Sequence, residues 1–176
     1  MSAGASYVAV IGASVATAEQ ERVAEEVGQG LAQAGAIVIT GGGGGVMAAA
    51  SRGAAQAGGT VIGLLPGDDR DHANPWVGIA IPTGLGELRN GLIVRAADVA
   101  IAVGGAYGTL SEIALAMVGE VPVIGLDSWD VDGVQVAGAP QEAVRRALAL
   151  AAGGGARDTA GGGAPDSTGG GVEGRA

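Results

Sequence analysis

Six short runs of this chain are almost wholly apolar: Tyr7–Ile11, Ile37–Ile39, Val61–Leu65, Val77–Ile81, Val99–Val103 and Val121–Leu126. Each is closely followed by glycine, proline or aspartate. A strand that is apolar on both faces must be covered on both faces, which is the condition of a parallel sheet packed between helices. The intervening segments supply that cover. Thr17 is suited to start a helix, with Glu19, Gln20 and Glu21 at the positive end of its dipole. Val23, Val27 and Leu31 recur along it at helical spacing, and Gly35 ends it. Further helices are expected over Val46–Gln56, Glu87–Ala96, Thr109–Val118 and Gln141–Ala151, with a polar loop over Pro66–Pro75. The pattern predicts an α/β fold: a single doubly wound, Rossmann-like parallel sheet with helices on both faces.

The pattern stops at Gly153. Beyond it the text is rich in glycine, and its only large aliphatic residue is Val172. Too little apolar surface is available there to offset the entropy of ordering. Residues 1–152 are therefore read as the globular domain and 153–176 as a disordered, flexible tail.

Charge and composition remove several classes of function. Net charge is −9, with no basic stripe, and aromatic residues make up 2% of the chain. Neither the electrostatic nor the stacking basis of nucleic-acid binding is present, so no nucleic-acid partner is expected. The chain has no lysine, hence no Schiff-base residue and no Walker lysine. It has no cysteine, hence no disulfide and no thiolate ligand. His72, among Asp68, Asp69 and Asp71, is the only histidine. An acidic solvated loop explains it better than a metal site, so no metal is expected. The N-terminal segment lacks the basic start of a secretory signal, and no apolar run is long enough to span a membrane. A cytoplasmic location is expected.

Two glycine-rich turns lie where a parallel sheet binds its ligands, at the carboxyl ends of strands. They are Gly41-Gly42-Gly43-Gly44-Gly45 and Gly104-Gly105-Ala106-Tyr107-Gly108-Thr109. A helix that starts there offers unpaired N–H groups and a positive dipole end, and glycine lets a phosphate approach the backbone. The expected partner is a small phosphorylated ligand. Thr109 is suited to cap the following helix or to donate its hydroxyl to phosphate. Ser14 reaches the same crevice or serves as a turn residue. Glu112 completes a capping box with Thr109, or else faces the crevice, where a carboxylate meets ribose hydroxyls or activates water. Arg89 puts a cation in a first helical turn, against the dipole, which suits a residue retained for a ligand anion; the alternative is a solvated surface arginine.

The run Arg89-Asn90 … Ala97-Asp98 … Gly104-Gly105-Ala106-Tyr107-Gly108-Thr109-Leu110-Ser111-Glu112 resembles the LOG family of nucleoside 5′-monophosphate phosphoribohydrolases. That family's signature is PGGxGTxxE, preceded by an Arg-Lys pair and an Ala-Asp dipeptide. Gly41 to Gly45, followed by Val46-Met47, resembles its glycine-rich loop, which places Met47 at the site. The resemblance covers residues 6–126. It implies Arg89 and Glu112 as catalytic residues for cleaving an N-glycosidic bond, with release of base and ribose 5-phosphate. It also implies ligand contacts by Gly108 and Thr109, no required cofactor, and a homodimer.

Three departures point to a sister branch. Gly104 replaces the motif's proline, Ala106 its second glycine, and Asn90 its lysine. These features are similar to shorter Rossmann-fold nucleotide-binding proteins that resemble molybdenum cofactor carrier proteins. That branch implies a bound nucleotide or molybdenum cofactor, held without chemistry. The DNA-processing protein DprA is a more distant relative.

Overall fold

The structure, a computed structural model, describes residues 4–153. Seven strands form one parallel sheet: β1 (Tyr7–Gly12), β2 (Ile37–Thr40), β3 (Val61–Leu65), β4 (Ile79–Pro82), β5 (Val99–Val103), β6 (Val123–Leu126) and β7 (Gln135–Val136). Their order is β4-β3-β2-β1-β5-β6-β7, and every neighbouring pair is parallel. The chain walks outward from β1 to β4, returns to the centre, and walks the other way from β5. The switch between β1 and β5 opens a crevice beyond their carboxyl ends.

Alternation along each strand divides the core into two layers. Val8 and Val10 of β1, with Val99, Ile101 and Val103 of β5, face α1 (Ala18–Gln33), α2 (Val46–Gln56) and α5 (Pro140–Gly153). Ala9, Ile11, Ala100 and Ala102 face α3 (Asn90–Arg95) and α4 (Tyr107–Val118). The doubly wound α/β fold expected from the sequence is the fold observed.

Local chemistry explains most element ends. Thr17 caps α1 in a reciprocal box with Gln20, and Gly35 follows the helix at φ +79°. Pro140 opens α5, where a missing N–H costs nothing. The tight crossing of α1 and α2 is a product of the fold. A Cβ on Gly28 would lie 2.0 Å from Ala50 O, and one on Gly53 would lie 2.0 Å from Glu25 O. Two glycines thus let the helix backbones touch.

Several boundaries differ from expectation. β4 covers Ile79–Pro82, because Val77 turns inward against Gly63 and only Ile79 begins pairing with β3. The expected helix Glu87–Ala96 is two pieces, a 3-10 turn Gly86–Arg89 and the short α3. Arg70–His72 forms another 3-10 turn within the polar loop. α4 starts at Tyr107, two residues early. β6 starts at Val123, since Pro122 has no N–H to pair. The two-residue β7 is exposed and carries no apolar run that would announce it. α5 continues to Gly153, one residue into the stretch read as a tail; residues 154–176 lie outside the described residues. No helix among the described residues is long and apolar enough to cross a membrane.

Candidate functional site

At the β1/β5 switch lies a crevice of about 290 Å³. Its walls come from the turn after β1 (Gly12, Ala13, Ser14), from Met47 of α2, and from Glu87, Arg89 and Asn90. The start of α4 completes it with Ala106, Gly108, Thr109 and Glu112.

The helix start supplies the donors. Ala106 stands at the N-cap and has no side-chain acceptor to offer, so the first N–H groups of α4 keep their capacity for an anion. Thr109 is the third residue of α4. Its hydroxyl oxygen accepts from Ala106 N–H at 3.4 Å, while its own proton is free for a ligand oxygen. Thr109 is therefore not the N-cap, and the Thr109–Glu112 capping box, one of the two arrangements the sequence allowed, does not form. That frees Glu112 for the alternative position, inside the crevice.

Arg89 is not a solvated surface residue. Nη1 donates to Leu64 O at 2.6 Å, and Nε is buried without a hydrogen-bond partner. Gly41 makes room for this side chain, since a Cβ there would lie 2.2 Å from Nη1. Burial holds the guanidinium below its ordinary pKa, against the opposing pull of Glu112 and Glu87. Glu112 is 7% exposed, and its carboxyl makes no hydrogen bond or ion pair among the described residues. Burial pushes its carboxyl up to about 7; the positive charge of Arg89 resists this and Glu87 adds to it. Asn90 is turned to α4, where Nδ2 donates to Ser111 Oγ at 3.1 Å.

Of the sequence-predicted residues, the crevice brings together Ser14, Met47, Arg89, Asn90, Ala106, Gly108, Thr109 and Glu112. It does not bring in Gly41, Gly42, Gly43, Gly44 or Gly45, which pack against Arg89, Leu65, Met47, Ser14 and Ala13. Gly104 and Gly105 lie on the far side of the second turn, and Tyr107 projects outward, 82% exposed. Gly12, Ala13 and Glu87 line it too; their sequence signals are a third glycine turn after a strand and a carboxylate two residues from Arg89.

A larger hollow of about 450 Å³ lies across the sheet, between α1 and α5. Its one arginine, Arg22, is tied to Glu19 and Glu26, which leaves no free cation there for an anion. Among the described residues no His, Cys, Asp and Glu side chains group as metal ligands.

Comparison with known proteins gives this geometry a family. The pattern of the SLOG cluster4 family matches residues 5–152, and the chain belongs to that family. An uncharacterized protein of Archaeoglobus fulgidus is 41% identical over 138 residues, which cover 78% of this chain and 91% of that one. The molybdenum cofactor binding protein of Rippkaea orientalis is 36% identical, with a TM-score of 0.80 over 85% of this chain and 99% of that chain. A molybdenum cofactor carrier protein of Chlamydomonas reinhardtii is 34% identical, with a TM-score of 0.78 over 85% of this chain and 99% of that one. DNA processing protein A of Helicobacter pylori, which binds single-stranded DNA, shares the fold at 21% identity, with a TM-score of 0.66 over 82% of this chain and 80% of that chain.

Proposed function

We propose that this protein binds a phosphorylated heterocyclic cofactor of the molybdenum cofactor type and holds it without chemical turnover. The carrying observation is the crevice at the start of α4, where uncapped N–H groups meet a buried arginine whose Nε lacks a partner. A phosphate monoester answers that donor set. The likeness to molybdenum cofactor binding and carrier proteins, at 34% and 36% identity, supports this choice of ligand class. Met47 and the turn after β1 form the wall beside the phosphate position.

Arg89 and Glu112 sharing one crevice favours a second reading, hydrolysis of a nucleoside 5′-monophosphate. The likeness to molybdenum cofactor binding and carrier proteins favours the first reading over it. Mass spectrometry and metal analysis of the freshly purified protein test the first reading. A bound pterin phosphate or nucleotide is expected, and saturation of the thermal shift by such ligands; no bound species and no shift overturn it. Incubation with AMP tests the second reading. Free base above the level of a Glu112→Gln variant would establish a hydrolase.

Self-association belongs to the same proposal. Leu88, just before α3, Leu92 of α3, and Leu115 and Val118 of α4 are exposed apolar side chains on two helices that pack together. Sedimentation at micromolar concentration is expected to show a dimer, and a monomer overturns this part.

A further inference from the structure

The second glycine turn has two sides, and the phosphate crevice uses only one. The other side faces a shallow groove of about 350 Å³ lined by Gly104, Gly105, Asp127, Ser128, Trp129 and Asp130. The chain has only two tryptophans and two tyrosines and no phenylalanine. The fold nevertheless sets one of each together here, Tyr107 and Trp129, with ring centroids 6.0 Å apart and a 30° tilt. Trp129 is held in place, since Nε1 donates to Ala106 O at 3.2 Å. Gly105 admits the indole edge, because a Cβ there would lie 2.6 Å from Nε1. Tyr107 remains 82% and Trp129 36% exposed. Trp129, anchored to the turn, and Tyr107 at its flank are left open and offer a surface on which a flat ring can stack.

The polar groups of the groove select which ring. Asp127 and Asp130 accept no hydrogen bond and join no ion pair among the described residues, and no cation lines the groove. Asp127 sits at the end of β6 with φ +48°, a left-handed conformation that Asp and Asn tolerate better than other side chains bearing a Cβ. A carboxylate accepts two parallel N–H bonds, so it favours a heterocycle that offers two adjacent donors on one edge. The 2-amino-4-oxopyrimidine edge, common to pterins and guanine, has that form.

We infer that this groove is the ring subsite of the bound ligand: Trp129 and Tyr107 stack a 2-amino-4-oxopyrimidine heterocycle, and the Asp127 and Asp130 carboxylates read its N–H edge. The inference rests on the phosphate site proposed above, and the ligand lies across the turn Gly104–Ala106, phosphate on one side and ring on the other. The groove selects among phosphorylated ligands, and the crevice holds what they share.

Calorimetric titration with four probes tests it: GMP, neopterin monophosphate, IMP, which lacks the 2-amino group, and ribose 5-phosphate, which has no ring. The wild-type protein is expected to bind GMP and neopterin monophosphate at least about tenfold more tightly than IMP or ribose 5-phosphate. The double variant Asp127→Asn/Asp130→Asn keeps the backbone preference at 127 and replaces each charged, two-oxygen acceptor with a neutral amide that has one acceptor oxygen and an NH2 donor. It is expected to bring GMP to the level of IMP while leaving ribose 5-phosphate unchanged. In a Trp76→Phe background, Trp129 is the sole tryptophan, and its fluorescence is expected to respond to GMP and not to ribose 5-phosphate. Equal affinity for GMP and IMP, or a preference that survives the double variant, overturns the ring subsite while the phosphate reading stands. Failure of all four probes to bind overturns both. A preference between the guanine and pterin probes supports the subsite and identifies the ring it fits.

Discussion

The two glycine-rich turns of this protein leave adjoining regions of one sheet edge and enter helices, yet they do different work. In the first, protein atoms occupy the space that side chains would fill. A Cβ on Gly41 would meet Arg89 Nη1 at 2.2 Å, one on Gly42 would meet Leu65 Cδ2 at 2.4 Å, and one on Gly45 would meet Ala13 O at 2.4 Å. In the second, Gly104 and Gly105 pack likewise, against Gln20 and Trp129, but a Cβ on Gly108 would meet nothing within 4 Å. The longer glycine run thus packs closely around Arg89 and the β1 turn. The shorter, less regular one presents open backbone to the crevice. A run of glycine reports close approach, but the approaching group is as readily the protein itself as a ligand.

The largest expected effect breaks the first turn. Gly45 adopts φ +56°, ψ −128°, a conformation closed to other residues, beside the Ala13 carbonyl. Gly45→Ala is expected to cost about 3 kcal/mol or more, read as a loss of roughly 10 °C in Tm. An unchanged Tm would show that this turn is not packed as described.

Glu112→Gln acts on the second turn through pH. The carboxyl is raised from 4.5 to about 7 on folding. A raised carboxyl pKa means that the folded state binds the proton more tightly than the unfolded chain. The contribution of this group to stability is therefore full below about pH 4.5, is lost as pH rises through 7, and changes by about 3 kcal/mol in all. The glutamine variant lacks that slope. Its Tm is expected to match the wild type at pH 4 and to exceed it at pH 8, and parallel profiles would contradict a buried, unpaired carboxyl.

Arg89→Met tests the link between the two turns. It leaves Leu64 O without its donor and is expected to cost about 2 kcal/mol while abolishing phosphate-ester binding. Retained affinity would remove Arg89 from the proposed site. The smallest effect on the fold, and the sharpest contrast, comes from Gly108→Val. Stability is expected to stay within about 0.5 kcal/mol, since the site is open, whereas phosphate-ester affinity falls at least about tenfold as the side chain fills the anion position. A variant that binds normally would refute the assignment of this turn.

Much of the fold was legible because its signals are local. Val8–Ile11 and Val99–Val103 are apolar on both faces, which only a covered parallel sheet satisfies. Thr17, Gln20 and Gly35 mark both ends of α1 in the sequence itself. β7 and the divided helix around Arg89 were not legible, since neither is set by periodicity: β7 forms because β6 offers an edge, and Arg89 is drawn inward by Leu64 O.

The sequence by itself determined the layered α/β architecture, the position of both turns at strand ends, and the Arg89, Thr109 and Glu112 candidates. These follow from hydrophobic period and residue chemistry read along the chain. Only the tertiary structure decided which glycines pack against the protein and which lie open, that Glu112 lines the crevice rather than a helix cap, and that Tyr107 and Trp129 lie side by side. Each of those depends on groups that are distant in sequence and are brought together by the crossover connections of the sheet, and no local pattern encodes such a meeting.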